Sequence, residues 1–196
     1  IILFVMHLNN KNLPKKILTW YDNNKRTLPW RVSQKSKKKH YYRMLSEFML
    51  QQTQVKTVIP YFNNFVKKIP NLKALSKINE KKILKLWEGL GYYNRARNLH
   101  KSSKILIKKY QGQIPNDFAK LKELPGIGDY TANILLALIH NQPRIALDGN
   151  VKRVLSRIFN IYPKEPFNLF KTKRNADLAE ALMEFGALVC KPQDPT

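Results

Sequence analysis

One stretch restricts the folds open to this chain more than any other. Leu-Pro-Gly-Ile-Gly at 124–128 runs without a break into DYTANILLALIH, a segment apolar almost all round. A helix with no polar face must be buried on every side, so 130–140 is expected at the centre of the protein. The preceding residues, 117–124, also carry helical spacing, so the glycine turn joins one helix to another. The rest of the chain reads alike. Apolar residues recur at helical intervals over 14–24, 42–54, 58–68, 80–88, 93–110, 150–160 and 171–188. Gly89 and Gly91 stop the fourth of these helices along the chain. Pro60, Pro70, Asn71, Pro115, Asn116 and Pro143 read as turns, and QKSKKKH at 34–40 as a lysine-rich loop. No segment alternates with period two, and no repeat of solenoid length is present. The fold class is all-α.

Charge narrows the partner. The 196 residues carry 36 Lys and Arg against 13 Asp and Glu, a formal net charge of +23. That excess favours a polyanion, most simply a nucleic acid, although lysines also decorate solvated faces without function. IILFV at the start falls far short of the ~20 residues of a membrane span. The single cysteine, Cys190, excludes an internal disulfide and suits a reducing cytosol. The first residue is Ile1, the first methionine is Met6, and CKPQDPT ends the sequence with no closing element. The sequence is therefore read as part of a longer chain.

The glycine turn belongs to neither familiar nucleotide motif. A P-loop needs Gly-x4-Gly-Lys-Ser/Thr, which is missing. A dinucleotide fingerprint needs a preceding strand and a third small residue, where this chain has a helix and Thr131. What remains is a helix–hairpin–helix. Gly126 and Gly128 let the backbone turn sharply and approach a phosphate, with the amides of the next helix start pointing at it. Such contacts anchor DNA without reading its sequence. The alternative is an ordinary interhelical turn.

Two carboxylates carry candidate chemistry. Glu47 lies on a helix crowded by Leu45, Phe48, Met49 and Leu50. Desolvation there would raise its pKa and make it a general acid. Asp148 stands at a helix start, where amides and dipole favour the ionised form. One neutral and one charged carboxyl are the two roles that glycosidic cleavage needs. Either could instead be structural, Asp148 as an N-cap and Glu47 as an ordinary helix residue.

With these residues in place, the sequence resembles the helix–hairpin–helix DNA glycosylases, and within them the adenine DNA glycosylase (MutY-type) branch. The strings that carry the resemblance are TLPWR (27–31), LSEFMLQQTQV (45–55), LWEGLGYYNRARNLHK (86–101), LPGIGDYTA (124–132), LDGNVKRVLSR (147–157) and ALMEFGALVC (181–190). The resemblance implies two helical lobes with the active site between them. A six-helix barrel with the hairpin would span 31–141, and 1–30 would join 142–196 in the second, normally cluster-bearing lobe. Glu47 would protonate adenine N7, Asp148 would stabilise an oxocarbenium-like sugar, Tyr130 would lie beside the sugar, and Asn150 would position the reacting groups. Arg26, Trp30 and Glu180 would line the pocket for the flipped adenine. Gln52 and Tyr92 would wedge into the opened duplex, with Thr53 and Leu90 near the opposite 8-oxoguanine. Trp30 could equally be a structural aromatic, and one of Tyr92 and Tyr93 is expected to pack in the core.

Tyr130 sets an end point. In the related endonuclease III type, a lysine stands there and forms a Schiff base, which tyrosine cannot do. The expected reaction is base removal without strand cleavage, on mismatched double-stranded DNA, by a monomer. Its expected location is the cytoplasm, at the nucleoid, if the source is bacterial. A thymine-mismatch glycosylase and a non-catalytic DNA-binding module are the rival readings; the second needs neither Glu47 nor Asp148. Cys190 matches the first ligand of the family's [4Fe–4S] motif, Cys-x6-Cys-x2-Cys-x5-Cys. The six residues after it reach Thr196, so this chain does not complete the cluster expected of the full-length protein.

Overall fold

The computed structural model describes residues 13–33, 36–159 and 172–193, and all regular structure among them is helical. The helices are α1 (Leu13–Asn24), α2 (Lys39–Leu50), α3 (Val55–Lys68), α4 (Leu72–Lys77), α5 (Glu80–Trp87), α6 (Asn94–Tyr110), α7 (Phe118–Lys122), α8 (Asp129–His140), α9 (Gly149–Phe159) and α10 (Asn175–Leu188). Their starts are written locally. The side chains of Asn71, Asn79 and Asp117 accept from the amides of Ala74, Lys81 and Lys120 at 2.8, 2.8 and 2.9 Å, each satisfying one otherwise orphaned donor. At the end of α6, Gln111 (φ 53°) and Gly112 (φ 79°) turn left-handed, and the Gly112 amide closes on the Leu106 carbonyl at 2.9 Å.

Three details depart from expectation. Pro60 is inside α3 rather than in a turn; it removes one intrahelical donor, and the apolar face of Val58, Phe62 and Phe65 holds the helix together regardless. α2 starts at Lys39, within the expected lysine loop, and ends at Leu50, so 51–54 form a turn. α4, only six residues long, has no sequence-level counterpart because so short a run shows no period.

The chain's contacts divide it into two compact units. One is the continuous segment Thr27–Gly128. Its core is aromatic: Trp30 and Tyr42 both meet Phe62 edge-on, with centroids 5.3 and 5.2 Å apart, and Phe65 meets Trp87 likewise at 6.1 Å. The other combines Ile1–Arg26 with Asp129–Thr196. There α1 contributes Leu13, Ile17, Leu18 and Tyr21, α9 contributes Val151, Val154 and Leu155, and α10 contributes Leu178, Ala181, Leu182 and Phe185 to one cluster. The crossovers thus fall at 26/27 and 128/129 rather than at 30/31 and 141/142. At the second crossover the reason is α8, whose Ile134, Ala137 and Leu138 pack with Ala179 of α10; at the first, Trp30 packs on Phe62. α8 is buried along nearly its whole length, as its composition requires.

Candidate active site

Within the unit Thr27–Gly128, Glu47 sits near the end of α2, 8 % exposed among Leu45, Ser46, Phe48 and Met49, which are wholly buried. Beyond α2 the chain makes a tight turn in which Gln52 is exposed and left-handed, φ 55°. A second such residue follows α5: Tyr92, 61 % exposed, φ 47°. A left-handed non-glycine residue costs about 1–3 kcal/mol, and such outliers concentrate at functional sites. Both wedge candidates are therefore strained and solvent-facing, whereas Leu90 (5 % exposed) and Trp30 (3 %) point into the core.

One side chain ties the two turns together. Arg95, from the first turn of α6, donates through one terminal nitrogen to the carbonyls of Phe48, Met49 (2.7 Å) and Gln51 and to Thr53 Oγ1 (3.0 Å). The other terminal nitrogen donates to the carbonyls of Leu90 and Gly91, both at 3.2 Å. The guanidinium carbon also lies 5.6 and 5.3 Å from the Trp87 and Tyr92 ring centres. Burial pulls its pKa below the usual arginine value, the direction set by taking a cation out of water.

The hairpin turn packs on the same unit. Gln51 Nε2 donates to the Gly126 carbonyl at 3.2 Å, and Ser102 Oγ to that of Pro125 at 2.8 Å. Gly126 is glycine for the chain's own sake: its φ is +81°, and a Cβ would stand 2.8 Å from both Phe48 Cε1 and Asn98 Cβ. Gly128 differs. A Cβ there would meet nothing within 4 Å, and its φ lies outside the left-handed range.

In the other unit, several of the candidate residues gather around α10. Glu180 (4 % exposed) accepts from the Tyr21 hydroxyl at 3.1 Å. One turn on, Glu184 holds Arg26 in a fork: Nε donates to Oε1 at 2.7 Å, a terminal nitrogen to Oε2 at 2.8 Å, and the Arg26 amide to Oε1 at 2.9 Å. Met183 Sδ lies 3.6 Å from the Tyr130 hydroxyl. At Gly186 the helix comes so close to α9 that a Cβ would stand 2.6 Å from Asn150 Cβ. Four neighbouring positions on α10 therefore gather Tyr21, Arg26, Tyr130 and Asn150.

Asp148 caps α9, its Oδ1 accepting from the Val151 amide at 2.7 Å. No other hydrogen bond of this carboxylate is present among the described residues. Arg153 braces the same helix start. It donates to Asn150 Oδ1 and the Gly186 carbonyl, both at 2.7 Å, and to the Cys190 carbonyl at 2.6 Å. Arg95, Arg153 and Glu184 are functional-site neighbours that the sequence does not single out. Nothing in sequence distinguishes two bracing arginines among 36 cations. Glu184 did leave a signal, a carboxylate one helical turn from Glu180 in an otherwise apolar segment.

Cys190 is 2 % exposed, and its sulfur accepts from Arg157 at 3.2 Å. A four-thiolate iron–sulfur cluster does not fit the residues present: the sequence contains one cysteine, and among the described residues no group of three His, Cys, Asp or Glu could hold a metal ion.

Residues 45–177 match the HhH-GPD superfamily base excision DNA repair protein family. The chain is 44% identical over 190 residues to an adenine DNA glycosylase of Buchnera aphidicola subsp. Baizongia pistaciae, covering 91% of this chain and 53% of that protein. It is 36% identical over 196 residues to the adenine DNA glycosylase of Homo sapiens, covering 91% and 36%. The chain thus spans about half the length, or less, of these curated relatives. Among solved structures, a thermostable thymine-DNA glycosylase superposes with a TM-score of 0.78 at 26% identity, over 95% of this chain and 89% of that one. A trapped endonuclease III–DNA covalent intermediate superposes with a TM-score of 0.75 at 20% identity, over 96% and 91%, a likeness of fold alone. With the matched family model running from the helix of Glu47 through the hairpin to the start of α10, the chain belongs to the HhH-GPD superfamily of base excision DNA repair proteins.

Proposed function

We propose that this chain is the base-excising part of an adenine DNA glycosylase, cutting adenine out of a mismatch with 8-oxoguanine or guanine. The observation that carries this is Glu47: a carboxyl, the usual general-acid group able to carry a proton, 8 % exposed beside the wholly buried Leu45, Ser46, Phe48 and Met49. Glu47 delivers that proton to N7 of the flipped adenine, and the C1′–N9 bond breaks as the base leaves. The Asp148 carboxylate stabilises the cationic sugar, and water completes the hydrolysis. Asp148 is suited to this because its cap bond fixes the carboxylate and engages only one oxygen. Asn150 and Tyr130 complete the sugar side, and Arg26 and Glu180 the base pocket. Arg26 enters already oriented by Glu184.

Flipping the base costs about a few kcal/mol. Gln52 and Tyr92 meet that cost by filling the vacated stack. Gly126 and Gly128 present the hairpin to a backbone phosphate, and the open space before Gly128 supports that role. The protein meets double-stranded DNA as a monomer. Thymine removal is the second reading, favoured by the 0.78 TM-score of the thymine-DNA glycosylase.

Single-turnover base release decides between them. Adenine should leave an A:8-oxoguanine duplex and thymine should stay in a T:G duplex. Glu47→Gln should slow adenine release about 10²–10⁴-fold, the usual contribution of a general acid, with duplex affinity retained. Thymine release, or a Glu47→Gln rate near that of the native chain, would overturn the proposal.

A further inference from the structure

We infer that Arg95 is a positioning residue for base flipping: its guanidinium holds the two turns that present Gln52 and Tyr92. The inference rests on the reading of those two residues as wedges. Its own evidence is geometric. The Arg95 acceptors flank both strained residues: Gln51 and Thr53 stand on either side of Gln52, and Leu90 and Gly91 immediately precede Tyr92. The turns lie some forty residues apart in sequence, and this one fork bonds to both. Phe48 and Met49, whose carbonyls complete the set, stand at the end of α2, where helix carbonyls lack intrahelical donors and attract a cation. Tyr92 also stacks beside the guanidinium.

The chemistry requires arginine. A planar fork with two terminal nitrogens can bond to both turns at once, whereas a lysine ammonium is a single point with three donors. At 7 % exposure, water cannot readily replace the lost donors. Lysine at 95 would leave one turn unbraced, and its left-handed residue free to relax.

A merely structural arginine would matter equally for every substrate. A residue that positions wedges matters only where the base must be pulled from a stack. The test uses the full chain and single-turnover adenine release from two duplexes. One has the target adenine fully stacked; the other flanks it with abasic spacers, so that flipping costs little. Arg95→Lys should slow release about ten-fold or more from the stacked duplex and less than about three-fold from the spacer duplex. Tyr92→Ala should show the same pattern, and the double variant should be no slower than Tyr92→Ala alone. Equal slowing on both duplexes, or fully additive effects, would overturn the positioning role. If Tyr92→Ala and Gln52→Ala both leave the stacked rate intact, the wedge reading falls and takes this inference with it. Melting by circular dichroism checks that each variant folds. Should Arg95→Lys fail to fold, Thr53→Val removes one acceptor while sparing the arginine, and must reproduce the substrate dependence at smaller size.

Discussion

The two glycines of the hairpin turn should respond oppositely to the same methyl group. Gly126→Ala places a side chain at φ +81°, and its Cβ stands 2.8 Å from Phe48 and Asn98. The left-handed conformation costs about 1–2 kcal/mol. Crowding in a packed interior adds about 1–3 kcal/mol, and the stiffer unfolded chain returns about 0.4–1 kcal/mol. The net is a loss centred on about 3 kcal/mol, a large share of the roughly 5–15 kcal/mol available to a folded domain. Gly128→Ala meets no atom within 4 Å and no left-handed φ, so only the unfolded-state gain remains, about 0.4–1 kcal/mol of stabilisation. DNA affinity should instead fall about ten-fold or more, about 1.4 kcal/mol, because the methyl fills the space taken by a phosphate. Urea denaturation reads the first effect, as a midpoint shift of roughly 1–2 M for Gly126→Ala. Fluorescence anisotropy with a labelled duplex reads the second. If Gly128→Ala binds DNA as tightly as the native chain, the phosphate reading of this turn is wrong. If it destabilises as much as Gly126→Ala, the geometry of the turn is wrong.

Borohydride should trap no covalent complex with an A:8-oxoguanine duplex, since Tyr130 offers no amine; Tyr130→Lys should permit some trapping, and efficient trapping by the native chain would locate a nucleophilic lysine elsewhere. DNA affinity should fall steeply with salt, with a log–log slope near −4.5 if about five phosphates are neutralised, as anisotropy titrations between low and physiological salt would show. His100 is 2 % exposed, its Nε2 has no partner among the described residues, and burial, with Lys104 adding, lowers its pKa below 6.5. The unfolded chain therefore binds this proton first. The stability His100 contributes is complete above pH 6.5 and is lost as pH falls toward the depressed folded pKa, by at most about 1.4 kcal/mol per pH unit. Thermal melts should show native stability dropping over that acid window more than His100→Gln does; parallel profiles would contradict the assignment.

The sequence alone determined what depends on near neighbours. Its helical period and composition were enough for the all-α class and the buried α8. Asp148 was readable as an N-cap because that bond spans three residues. Gly126 was readable because a left-handed turn is a property of a few consecutive dihedrals. That position 130 offers a phenol and no amine was readable from side-chain identity alone. Local signals run out at two places: α4 is too short to show a period, and Pro60 resembles a breaker because its own preference is local while the face that keeps α3 helical is tertiary. Only the tertiary structure decided which charges are braces. Arg95 reaches carbonyls more than forty residues back along the chain, Arg153 bonds to α10 thirty-three residues on, and Arg26 meets Glu184 across nearly the whole sequence. A long cation has no helical or strand register to betray its partner, and its reach is fixed only once distant segments have packed. The same holds for Gly186, which is glycine because Asn150 of another helix occupies the space beside it.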